Sequence, residues 1–456
     1  MQQNITIVGG GLVGSLLSIY LAKKNHKVTV YERRPNMRDR AVDGGRSINL
    51  ALSSRGWQAL EEVGIADRIK ELAIPMEGRM IHQDNGQVQF QAYGQKGEAI
   101  YSVSRGALNN ELDKLSDSHD NVTYQYETRC SELDLSSGML YFDTEEGILS
   151  VKPDVIFGAD GAFSKVRRAL QFKKRFNYSQ EFLPHAYKEL SIPANEDGSW
   201  KLDKNALHIW PRRSFMLIAL PNLDGSFTCT LFLAFEGEDA FENLKDEKSV
   251  IKFFGREFPD ALPLMPTLVE DFFENPTDTL VTVRCNPWNK ENVCLIGDAS
   301  HAIVPFYGQG MNSGFEDCRV LNELVNKYET KPEGLNWNEL LEEYSQLRVP
   351  DTNAIADLAL KNFVEMRDDV ADQSFLLRKK IEKHLQANHP DEFTPAYALV
   401  TFTPDVRYSE ALRRGKIQDE LFAKLFEIEN ISEKWENNDL ESELNQFLAD
   451  YKTAIQ

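Results

Sequence analysis

Cysteine is scarce in this chain. Its 456 residues hold five, Cys130, Cys229, Cys285, Cys294 and Cys318, an odd number with no Cys-x-x-Cys among them. A disulfide framework or a structural zinc site is therefore not expected, and a reducing compartment fits better. Positive charge is in deficit: 51 Lys and Arg against 71 Asp and Glu give a formal net charge of −20. That balance argues against nonspecific binding to nucleic acid or anionic lipid, though it permits a local basic pocket. No apolar run approaches the roughly 20 residues of a membrane helix. The first strand-like run, Asn4 to Val8, starts too early for a signal or transit peptide to precede it. A cytoplasmic protein with no nucleic-acid partner and no membrane anchor is the expectation. Internal repeats and low-complexity segments are also missing. What remains is an ordinary folded composition, 42% hydrophobic and 27% charged, at a length that suits two or three domains.

The N-terminus reads as a βαβ unit. Residues 4–8 (NITIV) suit a short buried strand, 12–24 a helix with Leu12, Leu16, Ile19 and Tyr20 on one stripe, and 27–31 (KVTVY) a second strand. Residues 76–100 suggest paired strands around the tight turn Asp84-Asn85-Gly86. A strand over 153–158 leads into Ala159-Asp160-Gly161. From 205 to 235 come three strand-like runs, divided by the turn signals Pro211 and Asn222 to Gly225. A buried strand over 292–298 precedes a glycine-bearing loop and a helix over 311–328. From 335 onward the pattern is mostly helical, ending in an acidic stretch between Glu427 and Asp450 that reads as a solvated helix face. The expected fold class is α/β: a three-part doubly wound, Rossmann-like nucleotide-binding domain with an inserted mostly-β substrate domain and a helical C-terminal part. The corresponding limits are 1–75, 100–180 and 285–345 for the first, 76–99 and 181–284 for the second, and 346–456 for the third.

Gly9-Gly10-Gly11-Leu12-Val13-Gly14 satisfies G-x-G-x-x-G, follows a strand, opens a helix, and has Glu32 at the end of the next strand. Gly9 permits the tight turn, Gly11 lets the backbone approach a pyrophosphate, and Gly14 allows close helix–strand packing. The helix N-terminus offers free N–H groups to phosphates. Glu32 can accept from a ribose diol, which favours an unphosphorylated adenosine ribose.

Two further segments are more specific. Gly158-Ala159-Asp160-Gly161 through Arg167, and Gly297-Asp298-Ala299-Ser300-His301 leading through Pro305 to Asn312, resemble the D-G and G-D motifs of the single-component flavoprotein aromatic hydroxylases, the p-hydroxybenzoate hydroxylase-like family. The resemblance implies FAD as cofactor, with Asp298 on its ribityl chain and Gly310, Met311 and Asn312 against the flavin pyrimidine. An aspartate at a strand end suits that role, and a helix N-terminus beside it can stabilise an anionic reduced flavin. In the family, the aspartate matching Asp160 is associated with both FAD and NADPH; it also reads as a turn-stabilising Asp-Gly. Val13, Arg34, Leu50, Ala51 and Arg105 complete the expected cofactor set.

Within that family the stretches Arg46 to Leu52, Gly78-Arg79-Met80, Asn205 to Pro211, Val304 to Asn312, Asn362 to Met366, and Tyr397 with Val400 to Phe402 are similar to the members that hydroxylate L-kynurenine. This implies NADPH and O2 as cosubstrates, a flavin C4a-hydroperoxide as oxidant, and 3-hydroxy-L-kynurenine as product, in tryptophan catabolism. It implies that Arg79 and Tyr93 take the substrate carboxylate, helped by Asn362 and Tyr397, with Glu365 and Met366 on the same side. Arginine suits the task because its planar fork pairs with carboxylate, although a surface arginine is the alternative. Leu207, Met216, Ile218, Leu220 and Phe232, alternating on adjacent strands, would wall the ring or simply form sheet core. Pro305, Phe306 and Gln309 would lie at the reacting face. An amine-activated ring requires no side-chain base, so His208 and His301 are candidates either for proton handling or for structure. For NADPH only Arg212, Arg213 and Lys173 to Arg175 suggest themselves. The oligomer could be a monomer or a homodimer. A related hydroxylase of another aromatic acid, and a flavin-fold binding protein without turnover, are the competing readings.

Overall fold

The computed structural model describes residues 2–36, 49–332, 334–369 and 373–456. Of the stretch Arg46 to Leu52, the residues Arg46, Ser47 and Ile48 lie outside the described residues. The first sheet has six strands, in the spatial order Asn289–Lys290, Val293–Leu295, Val155–Gly158, Asn4–Val8, Lys27–Tyr31 and Val122–Gln125. All are parallel except the short first one. Ile5, Ile7, Val28, Val30, Ile156 and Phe157 are buried, which explains the near-continuous apolar runs of its central strands. The helix Leu12–Lys23 packs between helices Arg105–Asp117 and Gly310–Glu329, so it is buried nearly all round rather than on the single expected stripe.

The second large sheet has seven strands, in the order Thr277–Asn286, Asn177–Ile192, Phe227–Ala234, Phe215–Pro221, Ala206–Arg212, Gly78–His82 and Val88–Ala92. One face carries Leu207, Met216, Leu220 and Phe232 toward the rest of the molecule. The other is covered by helices Glu247–Glu257 and Leu268–Glu274, whose Phe253, Phe254 and Phe272 pack on Trp210, Phe215 and Leu217. Alternation along each strand feeds two separate cores. Asn49–Leu52, Ile100–Ser104 and Ala73–Met76 form a small sheet, as do Arg129–Asp134, Met139–Thr144 and Gly147–Val151. Among the C-terminal helices are Trp337–Val364, Gln373–Asn388, Ala396–Thr401, Tyr408–Phe426 and Glu441–Ile455. None of the described helices is long and apolar enough to cross a membrane.

One expectation needs correction. Pro211 is not a turn residue: it lies inside Ala206–Arg212, opposite Met216, and the turn falls at Arg213, whose φ is 59°. A proline is tolerated so near the hairpin end because few ladder bonds follow it. The positions 180 and 285 lie within the strands Asn177–Ile192 and Thr277–Asn286, which pair with each other at one side of the seven-stranded sheet.

Candidate active site

The glycine fingerprint is built by crowding. Gly9 has φ 107°, and a Cβ there would stand 2.5 Å from the Ala159 carbonyl oxygen. A Cβ on Gly14 would meet the Gly9 oxygen at 1.9 Å. Only glycine lets strand and helix approach so closely. At Gly11 a Cβ would meet nothing within 4 Å, because that residue faces an open groove. The second motif supplies the opposite wall. Asp160 accepts from the Ser164 hydroxyl at 2.5 Å and from the Lys165 amide at 2.6 Å, capping the helix Lys165–Gln171. Burial outweighs those bonds and pushes its carboxyl pKa up. Arg167, on that helix, donates to the carbonyls of Ala162 and Ala299, at 2.5 Å and 2.8 Å, and so ties the D-G loop to the G-D loop. Asp298 opens the turn of helix Asp298–His301 on the groove, exposed, and nothing among the described residues pairs with its carboxylate.

The groove continues into one cavity of about 420 Å³. Gly11, Val13, Leu50, Ala51, Arg105, Asp298, Gly310 and Met311 line one part. Arg79, Tyr93, Leu207, Ile218, Leu220, Phe232, Met366 and Tyr397 line the other. Pro305, Phe306 and Tyr307 stand between them on the same wall. At the far end three tyrosine rings stack: Tyr93 on Tyr397 at 5.4 Å and Tyr397 on Tyr307 at 5.4 Å between centroids. The Arg79 guanidinium carbon lies 5.4 Å and 5.3 Å from the centroids of Tyr93 and Tyr397. Its Nε and the Tyr93 hydroxyl are buried without a hydrogen-bond partner among the described residues. A buried donor nitrogen and a buried hydroxyl left without partners are costly unless a ligand completes them. Burial raises the pKa of Tyr93, so its hydroxyl keeps its proton and can donate.

Several expected residues stand off this cavity. Glu32 lies behind Gly10, whose amide it accepts at 2.8 Å, and takes Arg34 Nε at 2.9 Å. Burial acts to raise its pKa, but the Arg34 guanidinium and the Gly10 amide outweigh it and hold the carboxyl below its usual range. Arg34 is therefore engaged by Glu32. Asn312 donates to the carbonyls of Ala51 and Gly308 and accepts from the Ser53 amide, clipping the strand Asn49–Leu52 to the loop. Gln309 does not reach the reacting face: it is buried and accepts from the Tyr408 hydroxyl at 2.9 Å. Met216 is on the wall strand but sealed in the core beside Phe232. Asn362 and Glu365 line an adjoining cavity of about 300 Å³ that shares Arg79, Tyr93, Tyr307 and Tyr397. Asn362 spends its amide donor on the Phe306 carbonyl at 2.6 Å, where a carboxylate contact was expected.

Neither histidine candidate lines the cavity, and each is engaged in packing elsewhere. His301 sits 2.5 Å from Asp317 and stacks on Trp288. His208 donates to the Asp203 carbonyl, contacts His82 at 3.0 Å, and lies on the sheet face away from the cavity. Arg212 donates to the carbonyls of Glu257 and His82, so its fork is not free for a phosphate. Residues the sequence did not single out include Met76, Ile100, Tyr187, Thr228, Thr230 and Thr279 on the cavity wall. Thr228 and Thr230 were within reach, since they alternate with Phe232 at the strand period. Pro184 obscured the strand that carries Tyr187.

Residues 2–359 match the family described as FAD binding domain. The chain is 50% identical to kynurenine 3-monooxygenase of Christiangramia forsetii over 446 residues, covering 97% of this chain and 98% of that one. It is 42% identical to kynurenine 3-monooxygenase of Sus scrofa, covering 91% and 87%. Among solved structures it resembles 2-methyl-3-hydroxypyridine-5-carboxylic acid oxygenase, with TM-score 0.66 at 19% identity, covering 81% of this chain and 94% of that one. That likeness bears on the fold alone.

Proposed function

The chain belongs to the kynurenine 3-monooxygenase family of FAD-dependent monooxygenases, and from that premise we propose that it hydroxylates L-kynurenine to 3-hydroxy-L-kynurenine with NADPH and O2. The overall change balances as kynurenine, O2, NADPH and a proton giving hydroxykynurenine, NADP+ and water. The observation that carries this reading is one cavity joining the Asp298 carboxylate at one end to the Arg79 Nε and the Tyr93 hydroxyl at the other, none of them paired among the described residues.

The groove suits FAD. Gly11 leaves room for a pyrophosphate at a helix N-terminus, and Asp298 has a free carboxylate for ribityl hydroxyls. Bound FAD, once reduced, supplies the electrons that activate O2. The protein's residues do the rest. Arg79 pairs with the substrate carboxylate, and the Tyr93 hydroxyl donates to it. Leu207, Ile218, Leu220 and Phe232 hold the ring and exclude water. Asn362 keeps the Phe306 carbonyl fixed, and the Phe306 ring stacks on Phe363 at 4.1 Å, so this pair shapes the wall between the two ends. No side chain on the wall is needed as a base, because the aniline nitrogen already feeds electron density to the carbon that is oxidised. The test is aerobic NADPH consumption with and without L-kynurenine, with product identified by mass. Consumption that yields no product of kynurenine mass plus one oxygen would overturn the reading.

A further inference from the structure

The helix Ala396–Thr401, which carries Tyr397, has six residues. A helix so short has no stability of its own and leaves its last carbonyls unpaired. Those carbonyls are met from the nucleotide-binding part of the molecule. Arg55, the second residue of helix Ser54–Val63, is 1% exposed. Its Nε donates to the Val400 carbonyl at 2.9 Å, and its terminal nitrogens reach the carbonyls of Leu399 at 3.4 Å, Pro404 at 3.2 Å and Thr403 at 3.5 Å, together with that of Val406. A cation at a helix C-terminus is electrostatically favoured. The guanidinium carbon also lies 3.9 Å from the centroid of the Tyr408 ring. The Tyr408 hydroxyl in turn donates to Gln309, which adjoins the cavity residue Gly310. Glu316 balances the charge at 2.5 Å and is itself shared with Arg348 at 2.7 Å.

We propose that Arg55 is a positioning residue for substrate binding: by capping the Tyr397 helix from across the molecule, it sets the tyrosine that flanks Arg79. Arg55 touches neither end of the cavity itself, so it acts only through that helix. The proposal rests on the reading that Tyr397 faces the substrate. It accounts for an otherwise expensive arrangement, a buried guanidinium devoted to five backbone oxygens.

The test uses the full chain with FAD bound. R55K keeps the charge but replaces a planar fork with a point donor. It should bind L-kynurenine about tenfold more weakly, the equivalent of one charge-assisted hydrogen bond. KM should rise while kcat at saturating substrate and bound flavin hold, the pattern of lost ground-state binding. Amides 397–403 should exchange hydrogen faster. The separating measurement is a double-variant cycle with Y397A. If Arg55 acts through Tyr397, R55K should cost little more once the tyrosine ring is gone. Unchanged kynurenine affinity in R55K, or effects that simply multiply in the double variant, would overturn the proposal. R55Q keeps two donors and leaves Glu316 paired with Arg348; it carries the same expectations if R55K does not fold. Should the unmodified protein not bind kynurenine at all, the functional reading fails. The exchange of amides 397–403 then still decides whether Arg55 holds the helix.

Discussion

In the proposed site, Arg79 and Asp298 each carry a polar group with no partner among the described residues. Arg79 has a buried Nε without a partner among the described residues. Arg79→Ala should leave a bound carboxylate partly desolvated with no cation, costing about 2–5 kcal/mol, or roughly 30- to 4,000-fold in kynurenine affinity at 1.4 kcal/mol per tenfold. Arg79→Lys should recover part of that loss, since the ammonium restores charge without the fork. Flavin content should not change in either variant. Calorimetric titration with kynurenine checks this, and an alanine variant of ordinary affinity would return Arg79 to a structural role. Asp298 is the mirror case at the other end of the cavity. Asp298→Ala removes an exposed carboxylate that no group among the described residues uses, so the fold should be unaffected and the loss should fall on FAD. One or two hydrogen bonds to a charged group are worth about 1.5–3 kcal/mol each, so the variant should purify with markedly less flavin. Full flavin occupancy in Asp298→Ala would show that the ribityl chain lies elsewhere.

Among the elements, local grammar decided what could be read early. Strand, glycine turn and helix at residues 4–23 follow one another in sequence, and the structure reproduces them almost residue for residue. Helix Glu247–Glu257 opens on a capping box of Asp246 and Ser249, a signal of four residues with no motif beside it. The long strand Asn177–Ile192 was masked by Pro184 and by a register shift between Phe182 and Ala186. The site itself was legible only through motif likeness. Arg79, Tyr397 and Tyr307 come from a strand edge, a six-residue helix and a 3-10 turn, and no periodicity links them. Likewise Gln309 and Met216 have the right neighbours in sequence but point into packing. On the outer face of the seven-stranded sheet, burial pushes the His208 pKa down to about 4 from an ordinary value near 6.5. Its neutral form donates to the Asp203 carbonyl. A histidine whose folded pKa is lowered favours the native state above pH 6.5, and that contribution is lost as pH falls from 6.5 through 4, because the unfolded chain then binds the proton first. The full loss is about 3 kcal/mol. Denaturant unfolding should therefore give a stability that falls with acid across this window. His208→Asn should flatten that slope; an unchanged slope would mean that other groups carry it.

For the molecule as a whole, three parts of the chain converge on one loop. Residues 305–311 border the cavity through Gly310 and Met311, on the wall shared with Asp298, and through Phe306 and Tyr307, on the wall shared with Arg79. The helical C-terminal part holds the same loop through Asn362 on the Phe306 carbonyl and Tyr408 on Gln309. Two ligands bound on either side of a shared, packed element bias each other's states, because a packed loop moves between discrete arrangements and not continuously. On the proposed reading, a substrate that engages Arg79 and the stacked tyrosines would press on the wall that the flavin would also border. NADPH consumption should be slow without kynurenine and rise sharply when it binds. Hydrogen peroxide yield should fall as product per NADPH approaches stoichiometry. Asn362→Ala frees the Phe306 carbonyl from its fixed partner and so should weaken this dependence. More NADPH would then be consumed without substrate, and more peroxide formed with it, while bound flavin stays normal. Parallel assays of NADPH, peroxide and hydroxykynurenine on both proteins measure it. Equal consumption with and without kynurenine in the unmodified protein would mean that the loop transmits nothing between the two ends.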